Sequence, residues 1–330
     1  MSDASTLPHL RDDAVAAVLS MPVAIGLMRT AFLAISRGEA TVPTRLSVPM
    51  AEHDARALVM PSYLPASGIA CVKWVNVNHS NPLQGLPMIH GIIMACDAAT
   101  GRPLALLDAE MLTAIRTGAA SGLATDLLAP PGAAHLAVFG SGAQARTQVE
   151  GVCAVRPIRR LTVFGRDRQR ACDFAESMAA RHALHAGVGD SLELLREADV
   201  ICTATPSKVP LFPAAALPGC VHINAVGSYR PDLCEIGPDV LVRSRVVVDQ
   251  RGACFAEAGE LVQGLAAGVL DDGSAIAELG ELIDAGVPAR SARPERPFTL
   301  FKSVGNAVQD LVCVAEVLRR YAIASGHSSP

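Results

Sequence analysis

Leu136-Ala137-Val138-Phe139-Gly140-Ser141-Gly142-Ala143-Gln144-Ala145-Arg146 is the stretch on which the fold turns. An apolar run from Leu136 to Phe139 stops at Gly140, and from Ala143 the composition becomes helical. That is the grammar of strand, tight turn and helix N-terminus in a dinucleotide-binding crevice, written here as Gly140-x-Gly142-x-x-Ala145. Gly140 permits the turn, and Gly142 lets the backbone approach a pyrophosphate. Ala145, standing for a third glycine, keeps the helix close to the strand. The free N–H groups and positive dipole end of the helix would face the phosphates. Gly140, Ser141, Gly142, Ala143, Gln144 and Ala145 are therefore the first cofactor-binding candidates. Alone the match is weak, because glycine turns between strand and helix are common.

Its surroundings strengthen it. After the break at Pro130-Pro131-Gly132, strands expected at 135–139, 160–164, 199–203, 221–226 and 245–249 alternate with helices at 143–154, 167–181 and 190–197. Alternation of this kind predicts a parallel sheet with right-handed crossovers. The glycine turn opens its first unit, where the topology places a cofactor. Upstream the grammar differs. Residues 10–37 read as two helices, and strand-like runs follow at 45–49, 57–60, 69–77, 90–96 and 102–107 with turn signals between them. This predicts a largely antiparallel sheet flanked by helices, followed by one long helix from Ala109 to Ala129. A Pro- and Arg-rich linker at 287–297 precedes Phe298-Thr-Leu-Phe, and the last helix, 304–323, is expected to pack back on the first domain; residues 325–330 are expected to fray. The fold class is α/β: a Rossmann-type doubly wound parallel sheet at 129–303, plus a discontinuous α+β domain from 1–128 and 304–330.

Composition narrows the function. Half of the 330 residues are hydrophobic but only 4% are aromatic, an aliphatic balance that suits α/β packing better than an aromatic-rich sandwich. The net charge of −4, with no basic block, argues against nucleic acid as a partner. No apolar run approaches the ~20 residues of a membrane span, and the N-terminus lacks the regions of a signal peptide. The nine cysteines include no C-x-x-C pair, so reduced thiols in a cytoplasmic protein are expected, and no metal site.

The second strand of the parallel sheet ends in Gly165-Arg166-Asp167-Arg168. A glycine stands where NAD-binding domains place an acid for the ribose hydroxyls. Arg166, with Arg168 or Arg170, suits the 2′-phosphate of NADP, although arginines at a helix start are also found simply solvated. Asp167 remains in reach of a ribose, so the expected cofactor is NADPH, with NADH possible.

Three cations stand out upstream: Arg45 in an apolar strand, Lys73 beside Trp74 in mid-strand, and Arg116 within Leu112-Thr-Ala-Ile-Arg-Thr-Gly118 on the long helix. Strand alternation puts Cys71, Lys73 and Val75 on one face. A lysine there must snorkel or meet an anion. Singly each is as readily a surface charge; together they would clamp a carboxylate, Arg116 bidentately. His222 reads as a satisfied core residue, and His79 and His90 as structural histidines flanking Asn81–Pro87. Asp310 on the last helix has no partner evident in the sequence.

With these residues in view, the chain resembles the ornithine cyclodeaminase/mu-crystallin family along nearly its whole length. The matching motifs include Lys73-Trp-Val-Asn-Val-Asn, Asn81-Pro-Leu-Gln-Gly-Leu-Pro87, Gly101-Arg-Pro-Leu-Ala-Leu-Leu-Asp108, Leu112-Thr-Ala-Ile-Arg-Thr-Gly-Ala-Ala120, Gly140-Ser-Gly-Ala-Gln-Ala145, Ile223-Asn-Ala-Val-Gly-Ser228 and Phe298-Thr-Leu-Phe-Lys-Ser-Val-Gly305. The resemblance implies a homodimer built through the first domain and a nicotinamide cofactor in the second. It implies that Arg45, Lys73 and Arg116 hold a substrate α-carboxylate, with Lys73 and Arg116 catalytic. Thr203, Ala204, Thr205, Gly227, Ser228, Tyr229 and Ser303 join the cofactor-binding candidates. One departure bears on the reaction. Cyclodeaminases of the family carry an aspartate two residues before the proline of Val226-Gly-Ser-Tyr-Arg-Pro231, and here Tyr229 stands there, a poor base with a pKa near ~10. The expected activity is therefore NAD(P)H-dependent reduction of a small cyclic imino acid: Δ1-pyrroline-2-carboxylate to L-proline, and Δ1-piperideine-2-carboxylate to L-pipecolate. Lys73, its pKa lowered by neighbouring cations, or a water it holds, would supply the proton. Ornithine or lysine cyclodeaminase, alanine dehydrogenase and a non-catalytic NADPH-dependent binding protein are the alternatives.

Overall fold

The computed structural model describes residues 7–270, 273, 276–286 and 296–324. The expectations for most of the 287–297 linker and for the 325–330 tail lie outside these residues. Contacts divide the chain into two compact units, Met1–Arg116 with Asn306–Pro330, and Thr117–Gly305. The division falls inside the long helix rather than at its end.

The first unit opens with β1 (His9–Leu10), α1 (Asp12–Val18) and α2 (Met21–Ser36). Strands β2 (Leu46–Met50), β3 (Ala55–Leu64), β4 (Ile69–Asn78), β5 (Ile89–Asp97) and β6 (Pro103–Asp108) follow, and α3 (Glu110–Leu128) carries the chain into the second unit. There lie β7 (His135–Phe139), α4 (Ala143–Cys153), β8 (Arg160–Phe164), α5 (Arg168–His182), β9 (His185–Val188), β10 (Val200–Thr203), β11 (Val221–Ala225), α6 (Pro238–Leu241), β12 (Ser244–Val248), α7 (Arg251–Glu257), α8 (Gly259–Ala266), β13 (Ala277–Glu278), α9 (Leu279–Asp284) and β14 (Phe298–Lys302). The last helix, α10 (Ala307–Ala324), returns the chain to the first unit.

The first unit's sheet runs β1-β6-β5-β4-β3-β2, with every pair antiparallel except β1–β6. Alternation in β4 sets its chemistry: Ile69, Cys71, Lys73, Val75 and Val77 are buried while Trp74 faces out. Helix α10 packs on β3, β4 and α2, so the face that carries Lys73 is covered. The opposite face keeps an apolar row in register, Leu46–Val59–Trp74–Ile92, in which Leu46, Trp74 and Ile92 are exposed.

The second unit's sheet is wholly parallel, in the order β13-β12-β14-β11-β10-β7-β8-β9. Both of its faces are buried. Leu136 and Val138 of β7 enter one apolar core, and Ala137 and Phe139 enter the other. Strand order reverses between β7 and β10, which places a topological switch point at their carboxyl ends. The sequence reading missed β9, the short helices α6 to α9, and the interior position of β14 between β11 and β12. The helix expected at 190–197 is a 3-10 stretch, Leu192–Glu197, capped by Ser191 accepting from the Glu193 N–H; six residues suit that tighter form. Within this unit α3 and α4 approach backbone to backbone. A Cβ on Gly118 would lie 2.2 Å from the Thr147 carbonyl oxygen, and one on Gly151 would lie 2.1 Å from that of Gly118.

Candidate active site

The glycine turn adopts the conformation that its sequence demands. Gly140 has φ +107°, and a Cβ there would stand 2.7 Å from the Ala204 carbonyl oxygen. Its N–H donates to the Phe164 carbonyl, and that of Ala204 donates to the Phe139 carbonyl, both at 2.9 Å. Gly142 is the N-cap of α4 with no side-chain cap, and a Cβ on it would meet nothing within 4 Å. No protein neighbour requires glycine there, whereas a phosphate seated on the helix N-terminus would. Gly142 and Ala143 are exposed and Ala145 is fully buried, so the turn is open where a pyrophosphate needs it and closed where helix meets strand. Ser141 and Gln144 are half-buried beside it. These residues fit a dinucleotide.

At the end of β8, Arg166, Asp167 and Arg170 are all exposed. Asp167 caps α5, accepting from the Arg170 N–H at 3.1 Å, so a helix start accounts for one of its oxygens. Several other candidates face inward. Thr203 is fully buried and donates to Glu235 at 2.9 Å. Ser228, also fully buried, donates to Glu260 and accepts from Lys302 Nζ at 3.1 Å, while Lys302 and Glu260 pair at 3.1 Å. Ser303 donates to Asp249 at 2.7 Å. The hydroxyls of Thr203, Ser228 and Ser303 thus act on the strand ends. Ala204, Thr205, Gly227 and Tyr229 are half-buried at those ends. Glu235, Glu260 and Lys302 were not singled out from the sequence; the signal available was charge inside otherwise apolar stretches.

In the first unit the expected cations meet around a carboxylate. Lys73 Nζ lies 2.7 Å from Asp310 Oδ2, and Arg116 Nε lies 3.1 Å from Oδ1. All three side chains are buried, Lys73 and Asp310 at 2% exposure. Arg116 Nη1 also donates to Gln309 Oε1 at 2.9 Å, and Lys73 approaches Thr113 Oγ1 at 3.5 Å. Asp310, Gln309 and Asn306 all come from the start of α10, which is why sequence separation hid their partnership with β4 and α3. Arg45 is half-buried and lies one residue ahead of β2 rather than inside it, because the pairing of β2 with β3 begins at Leu46 opposite Val59. Its charge still reaches Lys73. Burial pushes the Lys73 ammonium down to about 8; Asp310 opposes that, and Arg116 and Arg45 add to it. Burial, not the neighbouring cations, is the larger cause. Among the described residues, Gln309 Nε2 and Asn306 Nδ2 are buried donors with no protein partner, an arrangement that an anionic ligand would satisfy.

The remaining polar candidates are structural. His222 is fully buried, bonded to Thr299 Oγ1 at 2.9 Å and Asn224 Oδ1 at 3.1 Å, and burial lowers its pKa to about 3. His90 pairs with Glu110 at 2.8 Å on the surface. Among the described residues no cluster of His, Cys, Asp and Glu is arranged for a metal ion, and no single helix is long and apolar enough to cross a membrane. All nine cysteines are unpaired.

A Rossmann-type sheet with an open glycine turn, in a chain whose other unit carries a buried cation cluster, is the make-up of a nicotinamide-dependent oxidoreductase. Comparison with known proteins agrees. The model of the ornithine cyclodeaminase/mu-crystallin family matches residues 10–324, and the chain belongs to that family. It is 36% identical to a Δ1-pyrroline-2-carboxylate reductase of Bacillus cereus (strain ZK / E33L) over 311 residues, 94% of each chain. It is 34% identical to the ketimine reductase mu-crystallin of Mus musculus over 271 residues, 82% of each. The structure of Thermococcus litoralis Δ1-pyrroline-2-carboxylate reductase in complex with NADH and L-proline superposes with a TM-score of 0.92 at 32% identity, covering 98% of this chain and 100% of that one.

Proposed function

We propose that this protein reduces cyclic imino acids, Δ1-pyrroline-2-carboxylate to L-proline and Δ1-piperideine-2-carboxylate to L-pipecolate, with NADPH or NADH. The observation that carries the reading is the buried Lys73–Asp310–Arg116 cluster. It holds two buried cations against one carboxylate, a surplus of positive charge suited to an anionic substrate. The reductase relatives and the solved relative that holds NADH and L-proline support the same reading.

Gly140, Ser141, Gly142, Ala143 and Gln144 would hold the pyrophosphate, and Arg166 and Arg170 would favour a 2′-phosphate. The reduced nicotinamide, when bound, supplies the hydride that C2 of the imine accepts. Arg116 and Arg45 hold the substrate carboxylate, and the buried amides of Gln309 and Asn306 have donors to spare for it. Fixing that carboxylate fixes the ring and lowers the barrier through orientation. Lys73 holds a proton near neutral pH and passes it to the imine nitrogen, directly or through a water, so that C=N becomes CH–NH. Tyr229 occupies the position at which the family's cyclodeaminases use an aspartate at the amine, and the cycle that releases ammonia from ornithine is not expected.

The exposed row of Leu46, Trp74 and Ile92 supports a homodimer formed through the first unit. Nine unpaired cysteines fit a reducing, cytoplasmic setting. The test is cofactor oxidation by the purified protein, with NADPH and NADH, against five- and six-membered cyclic imino acids, beside L-ornithine with NAD+ and pyruvate with ammonia. Turnover of the imines far above both controls is expected; ammonia release from ornithine, or pyruvate as the best substrate, would overturn the assignment.

A further inference from the structure

Glu235 lies between β11 and α6, fully buried, and its two oxygens collect four donors. Oε1 accepts from the Thr205 N–H at 2.7 Å and from Thr205 Oγ1 at 2.8 Å. Oε2 accepts from Thr203 Oγ1 at 2.9 Å and from the Gly227 N–H at 2.8 Å. These donors belong to the segments that leave β10 and β11, beside the switch point. The same segments back the glycine turn: Ala204 O would collide with any Cβ on Gly140, at 2.7 Å. A Cβ on Gly227 would meet Thr205 O at 2.2 Å and Glu235 Oε1 at 2.5 Å, so the two segments and the carboxylate are in close contact.

We infer that Glu235 is a positioning residue for the dinucleotide, a lace that ties the segments after β10 and β11 together and fixes the backing of the Gly140 turn. The inference rests on the proposed nicotinamide reading. Its chemical basis is that each oxygen faces one backbone N–H, a group that can only donate. The amide of glutamine must therefore turn its NH2 against an N–H whichever way it is flipped. Two acceptor-only oxygens of this reach are what glutamate alone provides. Burial raises the pKa of the Glu235 carboxyl above its ordinary range; Lys302 on β14 and the Thr205 donors act against that, and Glu260 on α8 adds to it. Thr203 offers an independent probe. Its side chain has no exposure, so it touches no ligand and acts on the crevice through Glu235.

The experiment is direct NADH and NADPH binding by fluorescence titration on the wild type, Glu235→Gln and Thr203→Val, each with its melting temperature. Glu235→Gln is expected to fold but to melt a few degrees lower, since it leaves a buried N–H unsatisfied, and to bind about tenfold or more weakly because the loosened segments no longer hold the Gly140 turn in place. Thr203→Val is expected to weaken binding in the same direction. A folded Glu235→Gln protein with wild-type affinity would overturn the inference. If Glu235→Gln does not fold, Thr203→Val decides: weakened binding at an unchanged melting temperature upholds the lace, and unchanged affinity refutes it. A wild type that binds neither nucleotide would overturn the cofactor reading itself, a result distinct from selective loss in the variants.

Discussion

Lys73 is buried without solvent to stabilise its charge, and Asp310 at 2.7 Å is what keeps it an ammonium. The pKa of about 8 is lowered relative to a free lysine, so the charged form dominates below that pH and is lost above it. The kcat/KM of the reductase is accordingly expected to fall as pH rises through about 8. Replacing Asp310 with Asn removes the carboxylate that holds the ammonium, while Arg116 and Arg45 still act on it. That limb should then move to lower pH by about one unit or more; a limb that stays in place in the Asp310→Asn pH profile would deny Lys73 the role. Arg116→Ala should raise KM and lower kcat/KM roughly a hundredfold or more, the scale of losing a buried charged hydrogen-bonding partner. Near-normal steady-state kinetics would remove Arg116 from the clamp. At this scale the sequence carried the cations but not their counter-ion: Lys73 and Arg116 stood out because charge is rare in apolar runs. Asp310 did not, because its partners lie 237 and 194 positions away and no local pattern records a long-range pair.

Among the elements, α3 and α4 show how two small residues set a helix contact. Gly118 and Gly151 each face the other helix's backbone so closely that a methyl group has nowhere to go. Gly151→Ala is expected to cost about 1–3 kcal/mol through forced separation of the helices, read as a lower midpoint in urea with an unchanged m-value. A midpoint equal to that of the wild type would mean that the helices can part without penalty. The strands and helices with strong periodicity, β7, β8, β10, β11, α3, α4 and α5, are legible in the sequence within a residue or two. The position of β14 was not. Its three apolar residues after a linker are visible, but insertion between β11 and β12 depends on crossovers that local patterning does not encode. The edge strand β2 misled differently: it reads as apolar, yet Leu46 is 65% exposed and Val48 47%, so its hydrophobicity serves a surface.

For the whole molecule, that surface predicts assembly. Trp74, 46% exposed, lies at the middle of the Leu46–Val59–Trp74–Ile92 row, and its own chain does not need it for packing. Trp74→Glu should leave the protomer folded and convert a dimer into a monomer in sedimentation velocity; a wild type that sediments as a monomer would refute the homodimer. The change in hydrophobic grammar at the break after α3 marks where the antiparallel sheet gives way to the parallel one, although the compact units divide inside α3. The reaction is not in that grammar: it comes from the resemblance to the family, within which the residue at Tyr229 points to reduction. Product analysis tests the reductase assignment itself. Wild-type protein with Δ1-pyrroline-2-carboxylate and NADPH or NADH should yield L-proline mole for mole with cofactor oxidised. Cofactor oxidation without L-proline, or no oxidation with either nucleotide, would contradict it.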